Sequence, residues 1–136
     1  MDADIELIAR TFRVLDSESY ERALPYISDD FVMETPPDLA SEPGVYRGPD
    51  GVRRWWESFL EAMDTVRLET LAVEDAGGGR AVVSFVIHAR GQSSGIEAEQ
   101  RAFALATTES GKISGLEFYP DPELAWAAAG AEPPPK

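Results

Sequence analysis

The order of the apolar patterns constrains the fold of this chain more than any other feature. Three helical patterns come first, together with one short strand-like run. Four strand-like runs separated by glycine-containing turns then occupy the segment from Thr65 to Pro120. Consecutive strands joined by short turns form antiparallel hairpins, and the alternating strand and helix patterns of a doubly wound parallel sheet are missing. The sequence therefore predicts an α+β fold with a curved sheet wrapped around helices.

Periodicity places the individual elements. In chain order the patterns predict a helix over 3–15, a shorter helix capped by Ser19, a strand over 30–35, a loop over 36–48, a helix over 50–64, strands over 66–74, 81–90, 96–108 and 113–119, and a short helix that ends at Gly130. The strand over 66–74 changes phase, because Val66 and Leu68 share one parity whereas Leu71 and Val73 share the other. A β-bulge near Thr70 would reconcile the two halves.

Composition narrows the class of protein. The 136 residues suit one domain over 1–130, and residues 131–136, which contain three prolines, predict a flexible tail. The formal net charge of −13 would repel nucleic acids and anionic lipids, so we expect neither as a partner. With no cysteine and one histidine, we expect no disulfide, no metal site and no cofactor. The acidic N-terminus, which has no apolar signal stretch, predicts a cytoplasmic location.

A sheet curled around helices has two faces with different expected roles. Its concave side leaves a hollow, which predicts a pocket for a small hydrophobic molecule. Its convex side must meet solvent or a partner, which predicts a homodimer through that face. Trp55 and Trp56 are adjacent in a helix and point about 100° apart, so we expect one to pack in the core while Trp56, near Phe59, contacts the ligand.

Three motifs carry a family resemblance. They are 44–52 (GVYRGPDGV) before the long helix, 111–113 (GKI) before the last strand and 119–121 (YPD) after it. With the element order, they make the chain resemble SnoaL-like proteins of the nuclear transport factor 2 superfamily from Ile5 to about Gly130. The resemblance implies a cone-shaped antiparallel sheet, mixed at its first strand, around three N-terminal helices, with a short C-terminal helix. Members serve as polyketide cyclases, ketosteroid isomerases, epoxide hydrolases, dehydratases or non-catalytic binders, so the family alone assigns no reaction.

The positions of known family sites hold other residues in this chain. Where the isomerases have a catalytic Asp at the end of the first strand, this chain has Thr35, whose hydroxyl titrates far too high to accept a carbon-bound proton. The isomerase tyrosine corresponds to Thr11, and the oxyanion-stabilising Asp falls near Ala104, or near Arg101 if the turn is counted differently. The cyclase Asp of that strand is missing too. The Asp-Arg-Asp cluster of the epoxide hydrolases has no counterpart, since Asp75 is the only aspartate in the strand region.

Four residues are candidates for acid/base or electrostatic roles: Glu34, His88, Glu99 and Arg101. Glu34 could act as a base if its strand turns it inward. His88 alternates with the more apolar positions of its strand, which favours the outer face. Glu99 and Arg101 share a face in either of two registers. A concave register would place them at the mouth of the cavity to orient a carbonyl group, and a convex register would make them a solvated pair.

Two functions stay open on the sequence alone. The first is a binding module for a small hydrophobic molecule, with ligand-binding candidates Thr11, Thr35, Tyr46, Trp56, Phe59, Ala104, Phe118 and Tyr119. The second is an isomerase, lyase or hydrolase that acts on a hydrophobic carbonyl compound with Glu34, His88 or Glu99 as base. We favour the first, because no family site is intact.

Overall fold

Six strands form one mixed sheet that curves around two long helices. The computed structural model describes residues 3–17, 20–35, 44–91 and 97–132, without the side chains of 15–17, 20 and 59–65. The elements are, in chain order, α1 (Ala3–Ser17), two 3-10 turns (Tyr20–Arg22 and Leu24–Tyr26), β1 (Ile27–Thr35), β2 (Gly44–Arg47), α2 (Gly48–Ala62), β3 (Met63–Gly77), β4 (Arg80–Gly91), β5 (Glu97–Glu109), β6 (Lys112–Tyr119) and α3 (Pro122–Ala129). The predicted cap at Ser19 and the tail over 133–136 lie outside the described residues.

The strand order is β2-β1-β6-β5-β4-β3, and only the β1–β6 pair is parallel. This confirms the predicted α+β cone with a sheet mixed at its first strand. The β3–β4 and β5–β6 hairpins follow from glycine turns, in which Gly77, Gly78, Gly79 and Gly111 all have positive φ. The predicted turn between β4 and β5 lies outside the described residues over 92–96. The predicted shorter helix is two 3-10 turns instead, because Pro25 removes a backbone donor near the start of the second turn.

The phase change in β3 is a register shift between Thr70 and Ala72, as predicted. Before the shift Thr70 lies opposite Phe85, and after it Ala72 lies opposite Ser84. Leu71 is the extra residue, and its side chain is exposed. The bulge therefore lets the apolar residues on both sides of it reach the core.

The predicted loop over 36–48 is wrong at its end, where Gly44–Arg47 forms β2 and pairs antiparallel with β1. The backbone N–H of Gly44 donates to Thr35 Oγ1 at 3.2 Å, which joins the two strands at their ends. Tyr46 is buried on the inner side. Local composition could not predict β2, because its stability depends on β1 as a partner. Residues 36–43 of the predicted loop lie outside the described residues.

The two faces of the sheet have separate cores. The inner core lies between the concave face and the helices α1 and α2, and includes alternate residues in the middle of β5, namely Ala102, Ala104 and Ala106. On the convex face, Phe103 and Leu105 pack against Trp126 of α3. The expectation that the convex face is left open is therefore wrong for the part that α3 covers. No helix among the described residues is long and apolar enough to cross a membrane.

Candidate functional site

Among the described residues, five aromatic side chains contact one another in turn inside the cone. The ring centroids of Phe12 and Phe85 are 5.9 Å apart, and those of Phe85 and Phe118 are 5.8 Å apart. Trp55 stacks on Phe118 at 5.6 Å with an angle of 11° between the planes, and it meets Trp56 edge-on at 5.8 Å. We call these five residues the aromatic row. All are buried, and they form a continuous apolar wall from α1 across β4 and β6 to α2.

The prediction that only one of the adjacent tryptophans is buried is wrong. Trp55 is 2% exposed and Trp56 is 6% exposed. Adjacent helical residues point in different directions, so burial of both requires cover on more than one side of α2. Strands β1, β2 and β3 and the first 3-10 turn supply that cover.

The buried hydroxyls of the inner side differ in their hydrogen bonds. Thr11 Oγ1 donates to the carbonyl of Leu7 at 2.8 Å, and Ser58 Oγ donates to the carbonyl of Trp55 at 2.6 Å. Thr35 Oγ1 accepts from the N–H of the first residue of β2. Thr70 Oγ1 is buried and has no hydrogen-bond partner among the described residues. Ser58 and Thr70 are the two residues of this set that were not predicted as ligand-binding candidates, although the predicted bulge marked the position of Thr70.

Most of the ligand-binding candidates lie on the inner side of the sheet. Thr11, Thr35, Tyr46, Trp56, Ala104 and Phe118 are all buried there. Tyr119 lies instead on the outer face, because it is opposite Phe103, which packs against α3. The side chain of Phe59 lies outside the described part of the chain. The roles of these residues in binding stay predictions.

Three of the four acid/base candidates lie together on the outer face. His88 Nε2 is 2.8 Å from Glu69 Oε1, and His88 Nδ1 is 3.4 Å from Glu99 Oε1. Arg101 follows on the same face of β5, over the ring of Phe103 at 5.8 Å. The register of β5 is thus the convex one. Arg67 lies opposite His88 across the β3–β4 pair. We call Arg67, Glu69, His88, Glu99 and Arg101 the outer polar cluster.

A cavity of about 310 Å³ lies beside the outer polar cluster, lined by Arg67, His88, Ala89, Arg90, Glu97, Ala98 and Glu99. Both imidazole nitrogens of His88 face carboxylates, at 2.8 Å from Nε2 and 3.4 Å from Nδ1, which favours a structural role in the polar cluster. In the part of the chain that the structure describes, no group of three or more His, Asp or Glu side chains is placed to hold a metal ion. The arrangement is that of a solvated polar network across three strands.

The fourth candidate, Glu34, is exposed on the outer face of β1, next to Glu117 of β6. Burial raises the pKa of the Glu117 carboxyl, and the nearby charge of Glu34 raises it further. The pKa of Tyr119 is raised as well, first by burial and then by Glu117 and Glu34. A cavity of about 260 Å³ borders the two glutamates. The sequence pointed to Glu34 alone, because its neighbour comes from a strand more than eighty positions away.

A cone-shaped sheet with helices in its concave side defines the nuclear transport factor 2-like fold, which the ketosteroid isomerase-like proteins share. The family model described as "SnoaL-like domain" matches residues 8–116. The chain therefore belongs to the SnoaL-like family. A search of curated protein sequences found no match.

Solved structures of low sequence identity share this fold. An NTF2-like protein from Burkholderia thailandensis is 20% identical, with a TM-score of 0.78 over 97% of this chain and 100% of that one. TerC, co-crystallised with polyporic acid, is 17% identical, with a TM-score of 0.76 over 96% and 100%. Rv0760c from Mycobacterium tuberculosis, in complex with estradiol-17beta-hemisuccinate, is 14% identical, with a TM-score of 0.70 over 88% and 94%. At these identities the likeness concerns the fold.

Proposed function

We propose that this protein binds a small hydrophobic molecule inside the cone, against the aromatic row, without catalysing a reaction on it. The observation that carries this proposal is the separation of the two faces. Among the described residues, the buried polar side chains are all hydroxyls, namely Thr11, Thr35, Ser58 and Ser84. The proposed bases Glu34, His88 and Glu99 lie on the outer face. A catalytic base must reach the proton that it abstracts, so this placement favours binding over the isomerase, lyase or hydrolase alternative.

The chemistry of the interior suggests the class of ligand. Aromatic faces such as those of Trp55 and Phe118 favour flat rings in offset-stacked or edge-on contacts. Two relatives of the same fold were crystallised with ring compounds, polyporic acid and estradiol-17beta-hemisuccinate. We therefore propose a flat, mostly apolar ring compound as the ligand. Among the described residues, Trp56 is the end of the row on α2.

Tryptophan fluorescence tests this proposal. Estradiol-17beta-hemisuccinate is titrated into the protein, with an excitation wavelength chosen to favour tryptophan. We expect a saturable change in emission, which Trp56→Phe should diminish. Trp126→Phe is the matched control, because Trp126 packs under α3 on the opposite face of the sheet, and this variant should keep the change. A saturable change that Trp126→Phe abolishes and Trp56→Phe leaves intact would place the ligand outside the cone.

We also propose that the protein forms a homodimer through the outer polar cluster. Support comes from its charges, because Arg67 and Glu69 alternate in sign along β3, as do Glu99 and Arg101 along β5. Such a patch can pair with a second copy of itself across a two-fold axis. Sedimentation equilibrium at micromolar concentration should give the mass of a dimer, and Arg101→Glu should shift it toward the monomer. Arg10→Glu, on the exposed side of α1, should not. A monomer mass for the unaltered protein contradicts the proposal.

A further inference from the structure

The buried hydroxyl of Thr70 lies at a defined place on the inner face. Thr70 is directly opposite Phe85 across the β3–β4 pair, and directly opposite residues of antiparallel strands share a face. Phe85 is fully buried and belongs to the aromatic row. The Thr70 side chain therefore points into the cone, beside the row and near the end of it that Phe12 forms.

This hydroxyl differs from the other hydroxyls that we described on the inner side. Thr11 and Ser58 donate to backbone carbonyls, and Thr35 accepts from a backbone N–H. In the part of the chain that the structure describes, Thr70 Oγ1 is buried without any such partner. Buried polar groups in native proteins are nearly always hydrogen-bonded, and each exception calls for an explanation such as an absent water or ligand. A valine would fill the same space without this cost.

The position of Thr70 relative to the row sets the shape of a ligand that would use it. Trp56 forms one end of the row, and Phe118 and Trp55 lie between it and Phe85. A ligand that contacts both Trp56 and Thr70 must therefore extend past several ring contacts. We therefore take a molecule of several fused rings, rather than a single small ring, as the ligand to test.

We propose that Thr70 determines ligand specificity, and that its hydroxyl forms a hydrogen bond with one polar end group, a hydroxyl or a carbonyl, of an elongated fused-ring ligand. This inference rests on the proposed function, since it requires the ligand to lie inside the cone. A threonine hydroxyl both donates and accepts, so it can serve either end group. The rest of the ligand contacts the aromatic row through apolar surface alone.

The test compares two probes of equal size, 2-phenanthrol and 2-methylphenanthrene, which differ in one polar group. Equilibrium dialysis measures the dissociation constant of each probe for the unaltered protein and for Thr70→Val. The ratio of the two constants is then compared between the two proteins, and this comparison cancels the hydrophobic difference between the probes. We expect Thr70→Val to reduce the preference for 2-phenanthrol by about tenfold, the value of one net hydrogen bond. Thr70→Ser keeps the hydroxyl and should keep the preference.

Ser58→Ala is the control, because it removes a buried hydroxyl that already has a backbone partner, and it should leave the ratio unchanged. If both probes bind and Thr70→Val leaves the ratio unchanged, the role of Thr70 is overturned while the proposed function stands. That result would also be expected if a buried water occupies the Thr70 hydroxyl. If neither probe binds the unaltered protein, both the proposed function and this inference are overturned.

Discussion

Replacing Thr70 by valine should stabilise the unliganded protein. Thr70 Oγ1 is buried and finds no hydrogen-bond partner within the described ranges, so folding removes the hydroxyl from water without replacing its hydrogen bonds. Valine has nearly the same shape, keeps the high β-propensity of threonine and adds a methyl group beside Phe85. The substitution therefore removes an unfavourable term and leaves the backbone of β3 unchanged.

The expected magnitude follows from the cost of an unpaired hydroxyl. Mutational data place that cost at about 1–3 kcal/mol. Because the Thr70 side chain is partly exposed as a whole, the lower half of this range applies, and the free energy of unfolding should rise by about 1–2 kcal/mol. For a domain of 136 residues this corresponds to an increase in Tm of about 3–7 °C.

Urea denaturation followed by circular dichroism measures this change, and Thr11→Val is the matched control. The Thr11 hydroxyl is also buried but donates to the carbonyl of Leu7, so the same substitution there should lower the free energy of unfolding by up to about 1 kcal/mol. The two variants should thus change stability in opposite directions. If Thr70→Val lowers the free energy of unfolding by 1 kcal/mol or more, the hydroxyl has a partner in solution and the reasoning is refuted.

Two further predictions concern stability. The Glu117 carboxyl has a raised pKa in the folded protein, so the folded state keeps this proton to a higher pH than the unfolded state does. The group therefore lowers the free energy of unfolding as pH rises from about 4.5 through the raised pKa. Glu117→Gln should therefore raise Tm at pH 7 but not at pH 4, and Glu34→Gln should have a smaller effect in the same direction. Equal shifts of Tm at both pH values would contradict the assignment of the effect to the Glu117 carboxyl. In α2, a Cβ at Gly51 would lie 2.8 Å from the backbone carbonyl carbon of Tyr46. Gly51→Ala should lower the free energy of unfolding, measured by urea denaturation, by about 1–3 kcal/mol. Gly115→Ala should be tolerated, because a Cβ there would have no contact closer than 3.6 Å. Equal losses of stability in the two variants would refute the packing argument.

Local sequence patterns predicted the parts of the fold that depend on one segment at a time. The alternation of β4 placed His88 on the outer face, and the change of phase placed the bulge at Thr70. Both follow from the two-residue period of a strand, which the chain carries in itself. The order of hairpins then fixed the antiparallel part of the sheet.

Features that depend on two distant segments could not be predicted in this way. Strand β2 exists because β1 pairs with it, although its own composition favours a loop. Both Trp55 and Trp56 are buried because several elements surround α2. The periodicity of the helix itself does not indicate which other elements pack around it. The contact of His88 with Glu69 depends on the register across the bulge in β3, and a shift of one residue would remove it.

The location of a bound ligand tests the central claim most directly. A crystal structure of the protein grown with 2-phenanthrol would show whether the rings lie inside the cone or on its surface. The account predicts electron density for the probe between Trp56 and Thr70, in contact with the aromatic row. Density confined to the cavity beside His88 and Glu99 on the outer face would contradict it.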